Sequence, residues 1–307
     1  LVCMLLASIP KQRLLPEVEL VEQADVRCFE DRVLAFFSLP LVVFEALEGN
    51  AAEEQDGRDV GDDHEALCHV CREFPRLRHD YGDFVELTLE LSCPEAARLI
   101  LTAQPEPPIT QSCPGGEGEY DPLDMEILKS TRQRMLSLLS DTARPVPETL
   151  ALALLYGCHA QSDLDAGEME PFSPESALEE AKSLAKPGDY GLILDFFRSL
   201  ELLTPQWEAL LECPAPAPWT HHHLALARYF VERYWLQAIS DFDLYSRVKL
   251  AVISCLLVKH LGGDIFRTAQ LYSKELENNA DNVDALLDAA YSHPAFTDDK
   301  LLGLLLL

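Results

Sequence analysis

One stretch, LYSRVKLAVISCLLVKHL from Leu244 to Leu261, constrains the fold more than any other part of the chain. Its apolar residues face nearly all directions around a helix, so the segment belongs in the centre of a bundle. It carries Lys249 and Lys259 and falls short of a membrane span. The pair Gly262-Gly263 supplies its C-cap.

Helical spacing dominates elsewhere too. Ser173-Pro174 opens SPESALEEAKSLA with a capping serine and a proline in the first helical position. Thr204-Pro205 opens TPQWEALLE in the same way, and Asp189 starts DYGLILDFFRSLELL after Lys186-Pro187-Gly188. Amphipathic spacing predicts a helix over Tyr120 to Ser140 and one long helix over HHHLALARYFVERYWLQAI, followed by a short break at Asp241 and Asp243. DIFRTAQLYSKELENN, NVDALLDAAY and a segment after Phe296-Thr297-Asp298 complete the helical part. FVELTLEL, Phe84 to Leu91, is the one stretch that alternates as a strand does.

Two stretches read as loops. Residues 48–65 hold eight acids and one arginine, and residues 104–122 are rich in proline and glycine. The expected architecture is therefore mainly α: a helical body over 123–307, a linker over 104–122, and a small cysteine-bearing region over 1–103 with at most a short strand pair.

Net charge is −28, from 52 acidic and 24 basic residues. A surface of that sign repels phosphate backbones, which argues against nucleic acid and suits a lysine-bearing protein partner. No apolar run spans a membrane, so none is expected as a partner. Nine cysteines at scattered positions make a poor disulfide framework, so the chain reads as cytoplasmic with reduced thiols. LVCMLLASI resembles the apolar part of a signal peptide but lacks a preceding basic region. The leading Leu1, in place of Met, gives the expectation that the natural protein starts earlier.

The chemical signal lies in LCHVCREFPRLRHDYGDFVELTLELSCPEAARLIL, from Leu67 to Leu101. Cys68 and Cys71 have the two-residue spacing found at zinc sites and at iron–sulfur clusters. Cys93 falls at a strand-to-helix corner from which a side chain can point back at the pair, and Cys28 is the choice for a fourth ligand. Arg72, Arg76, Arg78 and Arg98 flank these thiols, where positive charge stabilises thiolate. Each of these features has a plain counterpart: buried structural cysteines, and arginines paired with the surplus acids. The histidines His221, His222 and His223 point in different directions on a first helical turn, so they cannot converge on one ion and are expected exposed. His69 is a weaker candidate ligand. No G-x-G-x-x-G, P-loop or G-x-S-x-G motif is present.

LCHVCREFPR followed by LSCPEAARLIL resembles the cysteine region of the bacterial flagellin lysine N-methylases. RYFVERYWLQAISDFDLYSRVKLAVISCLLVKHL resembles that family's C-terminal block, and AQLYSKELENNADNVDALLD the segment after it. The resemblance covers roughly residues 67–140 and 219–307. It implies methyl transfer from S-adenosylmethionine to lysine side chains of flagellin or another lysine-bearing protein. It also implies a metal or iron–sulfur centre held by cysteines, at Cys68, Cys71 and Cys93; Cys28 as fourth ligand rests on its place in the sequence alone. The family's further N-terminal cysteine cluster does not occur here, and the acidic run 48–65 stands where another cysteine-bearing stretch is expected.

Methyl transfer needs a neutral lysine amine, and carboxylates or tyrosines beside an apolar pocket can provide one. Tyr229, Tyr245 and Asp243 are the candidates for that role, and Arg72, Arg76 and Arg233 for holding the cofactor. The structural alternative is that these tyrosines line a bundle core and the aspartates cap a helix. The competing function is a non-catalytic helical interaction protein with at most a structural metal.

Overall fold

A computed structural model describes residues 74–104 and 108–307. The chain runs β1 (Arg76–Asp80), β2 (Phe84–Leu89), α1 (Pro94–Thr102), β3 (Ile109–Ser112), α2 (Pro122–Leu139), α3 (Val146–Ala166), α4 (Pro174–Leu184), α5 (Tyr190–Ser199) and α6 (Pro205–Glu212). It continues through α7 (His221–Tyr234), a 3-10 turn (Trp235–Ile239), α8 (Leu244–Leu261), α9 (Ile265–Leu276), α10 (Ala280–Ser292) and α11 (Asp298–Leu306).

The described chain is mainly helical, as its spacing predicts. The helix starts follow from local hydrogen-bonding chemistry. Ser173, Asp189, Thr204 and Asp243 each accept a backbone N–H in the first turn of α4, α5, α6 and α8. Proline occupies the first turn of α1, α2, α3, α4 and α6, where its missing N–H has no intrahelical role. Two boundaries differ from expectation. The long helix ends at Tyr234 and tightens into the 3-10 turn, and Phe242 follows in left-handed backbone at φ 58°. His223 is buried, not exposed: its ring closes the capping box with Thr220, and desolvation lowers its pKa to about 4.

The sheet has three antiparallel strands in the order β1-β2-β3, one more than a strand pair. The extra strand falls inside the proline- and glycine-rich stretch, where Ile109 and Thr110 are β-branched and sit opposite Leu87 and Glu86. Register places His79 opposite Glu86 and Leu77 opposite Thr88.

α8 lies at the centre and packs against α3, α7 and α10. Every residue from Leu244 to Val258 is buried. Each fully buried Leu, Ile or Val there contributes about 1.5–3 kcal/mol. α3 approaches α8 closely, since a Cβ at Gly157 would sit 2.5 Å from Val248 Cγ1. Lys249 is buried on α8, yet its ammonium is satisfied: Nζ donates to Ala290 O at 2.8 Å and Phe296 O at 3.1 Å and pairs with Asp298 at 2.8 Å. Among the described residues, no helix is long and apolar enough to cross a membrane.

α11 docks through glycine. A Cβ at Gly303 would stand 1.6 Å from the Lys186 carbonyl oxygen, so the backbone would have to move. Gly303→Ala is expected to destabilise the fold by about 1–3 kcal/mol, read as a lower urea midpoint with an unchanged slope.

Candidate functional site

Four residues of α7, Arg228, Tyr229, Glu232 and Arg233, lie one helical turn apart in pairs. Arg228 Nε meets Glu232 Oε1 at 3.5 Å, and Arg233 Nη1 donates to the Tyr229 hydroxyl at 2.7 Å. This helix packs against α1 and α2.

The deepest part of the arrangement is built around Glu277, just past the end of α9, whose carboxylate is 0% exposed. It accepts from the hydroxyls of Tyr229 (3.0 Å), Tyr234 (2.9 Å) and Ser273, and it pairs with Arg233 Nε at 3.0 Å. Burial pushes the Glu277 pKa up, and Arg233 with the three hydroxyls opposes that rise. The Tyr229 oxygen also accepts the Leu91 backbone N–H at 3.3 Å, while Gln270 of α9 donates to Ser92 O at 2.5 Å. The corner Leu91–Cys93 is thereby fastened to α7 and α9.

A second part joins the sheet to the helices. Arg132 of α2 binds Glu86 of β2 bidentately at 2.8 and 2.5 Å, with both side chains buried. Glu232 feels Arg228, Arg132 and Glu86, and desolvation raises its pKa to about 7 despite the two arginines. Its side chain keeps 22% exposure, so solvent reaches it. His79, across from Glu86, has its pKa lowered by burial and then by Arg233. His79 Nε2 and Thr88 Oγ1 are buried without hydrogen-bond partners among the described residues. Buried polar groups are ordinarily satisfied by protein or by ordered water.

The residues singled out in the sequence fall into three sets. Tyr229 and Arg233 come together in the network, and Cys93 is buried at its edge as the N-cap of α1. Tyr245 and Asp243 form a separate group. Asp243 caps α8 and accepts from the Tyr291 hydroxyl at 2.7 Å, and the Tyr245 ring lies 6.5 Å from that of Tyr291 and 5.0 Å from Lys249 Nζ. Arg76 opens β1. Cys28, Cys68, Cys71, His69, Arg72 and the acidic run 48–65 lie outside the described residues.

Sequence reasoning did not single out Glu277, Glu232, Glu86, Arg132 or His79. The Arg228–Glu232 spacing on α7 was the one available signal, because the other pairings join distant segments. Among the described residues, no group of three or more His, Cys, Asp or Glu side chains is placed to hold a metal ion. Cys93 is the single described member of the proposed ligand set, so the described residues do not by themselves fit a metal centre. No family model matches the chain, and no curated protein or solved structure matches it.

Proposed function

We propose that the chain is a protein-lysine N-methyltransferase of the flagellin lysine N-methylase kind, with Glu232 as the group that takes the proton from the substrate amine. One observation carries this reading. The two stretches that bear the resemblance, 67–140 and 219–307, supply the members of both buried polar groups, Glu277 with Tyr229, Tyr234 and Arg233, and Glu86 with Arg132, among the sheet, α1, α2, α7 and α9.

The network divides the labour by exposure. Glu277 has no access to solvent and serves to fix Tyr229, Tyr234 and Arg233. Glu232 is reachable and has a pKa of about 7, so near neutral pH its carboxylate can accept a proton from a lysine ammonium. When bound, S-adenosylmethionine supplies an electrophilic methyl group on a sulfonium sulfur. The unpartnered His79 Nε2 and Thr88 Oγ1 fit a polar molecule bound beside Glu86. No step here is assigned to a metal.

The test is transfer of isotope-labelled methyl from S-adenosylmethionine to flagellin by the full chain, followed across pH. The wild type is expected to show a rate limb with its midpoint at about pH 7, which Glu232→Gln lacks. Stability offers a readout independent of catalysis. Glu232 has its folded-state pKa raised from 4.5 to about 7, so its contribution is full below pH 4.5 and is lost as pH rises to about 7. Glu232→Gln is expected to flatten that slope in urea titrations. If no label reaches lysine and calorimetry shows no heat with S-adenosylmethionine, the enzyme reading fails and the non-catalytic interaction protein replaces it.

A further inference from the structure

Away from the charge network, a cleft of about 550 Å³ opens between the C-terminal half of α2, the turn into α3, α3 itself and the segment leading to α4. An adjoining hollow of about 450 Å³ shares Arg134 and Ser137 with it. Either volume lies within the range that holds a small organic ligand.

The walls are of two kinds. Leu138, Tyr156 and Phe172 give an apolar, largely aromatic side. The Phe172 ring is held edge-on to Tyr156, with centroids 4.9 Å apart at 71°, and Tyr156 is itself anchored by donating to Thr131 O at 3.2 Å. His159 Nε2 lies 3.1 Å from Glu170 O and its ring lies 5.3 Å from that of Phe172, which positions the segment that carries the phenylalanine.

The rest of the lining is polar or charged, with Arg134, Arg144, Ser137 and Asp141. Arg144 pairs with Asp141 at 3.3 Å, and the other Asp141 oxygen accepts from Ala143 N at 3.0 Å. The one carboxylate in the lining is thus engaged. Arg134 has no carboxylate partner among the described residues and faces the Tyr156 hydroxyl instead. Arg134 is therefore a cation at the cleft whose charge no carboxylate in the lining offsets. The guanidinium presents a planar fork suited to carboxylate or phosphate, and Ser137, one turn further along α2, adds a hydroxyl on the same side.

We propose that this cleft binds a small anion carrying a flat ring, of the nucleoside monophosphate class, with the acid group on Arg134 and the ring against Phe172. The ring and the charge act together, since the surrounding negative field opposes an anion that has no apolar contact to hold it. The inference is independent of the methyltransferase reading, because no residue of the cleft belongs to the charge network.

Calorimetry of the full chain with adenosine 5′-monophosphate tests it, with adenosine and inorganic phosphate as separate arms. Saturable binding of the nucleotide is expected, with each half at least tenfold weaker. Arg134→Ala should weaken nucleotide binding at least tenfold and Arg134→Lys by less, because lysine keeps the charge and loses the fork. Phe172→Ala should weaken the nucleotide and leave phosphate unchanged. Arg134 is exposed, and an unchanged circular dichroism melt of its variants excludes unfolding as the cause. The proposal is overturned if the nucleotide shows no saturable heat, if Arg134→Ala binds it as the wild type does, or if phosphate binds as tightly as the nucleotide.

Discussion

Arg233→Met is expected to lower stability by about 3–5 kcal/mol, because it leaves the Glu277 carboxylate buried without its cation. The guanidinium does two jobs: it pairs with Glu277 at 3.0 Å and donates to the Tyr229 hydroxyl at 2.7 Å. Methionine fills similar space but does neither. The size of the loss should depend on pH, and the sign follows from Glu277. Burial already raises its pKa, and Arg233 is the largest influence holding it down. Without Arg233 the pKa rises further, so the variant can keep the carboxyl protonated and neutral in acid. Its deficit relative to the wild type should therefore shrink as pH falls and grow as pH rises. Urea titrations at several pH values measure this, and a deficit independent of pH would show that Glu277 is not the group left uncompensated.

The second large effect concerns Glu86 and Arg132. Glu86→Leu alone is expected to cost about 3–5 kcal/mol, since it strands the Arg132 guanidinium between β2 and α2. The double variant Glu86→Leu with Arg132→Met should cost clearly less than the single one, because no charge is left buried. With the single variant Arg132→Met included, the double loss minus the sum of the two single losses measures the coupling. A double variant that lost the sum of the two single losses would show that the pair does not act as a unit. Glu232 sharpens the contrast, since it also feels Arg132 and Glu86. Removing both charges should leave its raised pKa governed by Arg228 and burial.

How much of this was legible beforehand depends on how local its cause is. α8 could be read because its apolar residues are continuous over Leu244–Leu261, and α4 and α6 because Ser173-Pro174 and Thr204-Pro205 carry their own start signals. α3 has a proline in its first turn but no Ser, Thr or Asp cap to mark where it starts. Its N-cap is Pro145 with no capping side chain, and Leu150 to Leu154 are apolar without a break. Its helix becomes intelligible only against α8, where Gly157 meets Val248. β3 was hidden in the same way, because Ile109 to Ser112 has too few residues to show alternation until β2 is beside it. The site follows the same rule. Tyr229 and Arg233 stood out within one aromatic and charged helix. Glu277 and Glu86 did not, because their partners lie 48 and 46 residues away in the chain. Tyr245 and Asp243, near neighbours of that helix in sequence, belong to a different group in space.

The ammonium of Lys249 ties the C-terminal helix to the centre of the bundle. Three of its contacts, to Ala290, Phe296 and Asp298, come from the end of α10 and the start of α11. A molecule that lost α11 would therefore do more than lose some packing: Lys249 would keep the Ala290 carbonyl and lose its one carboxylate, leaving a buried positive charge without a counter-ion. Damage at that end would reach the centre at once, so a chain lacking α11 should come apart as a whole and be cleared, with no long-lived fragment resembling the intact protein.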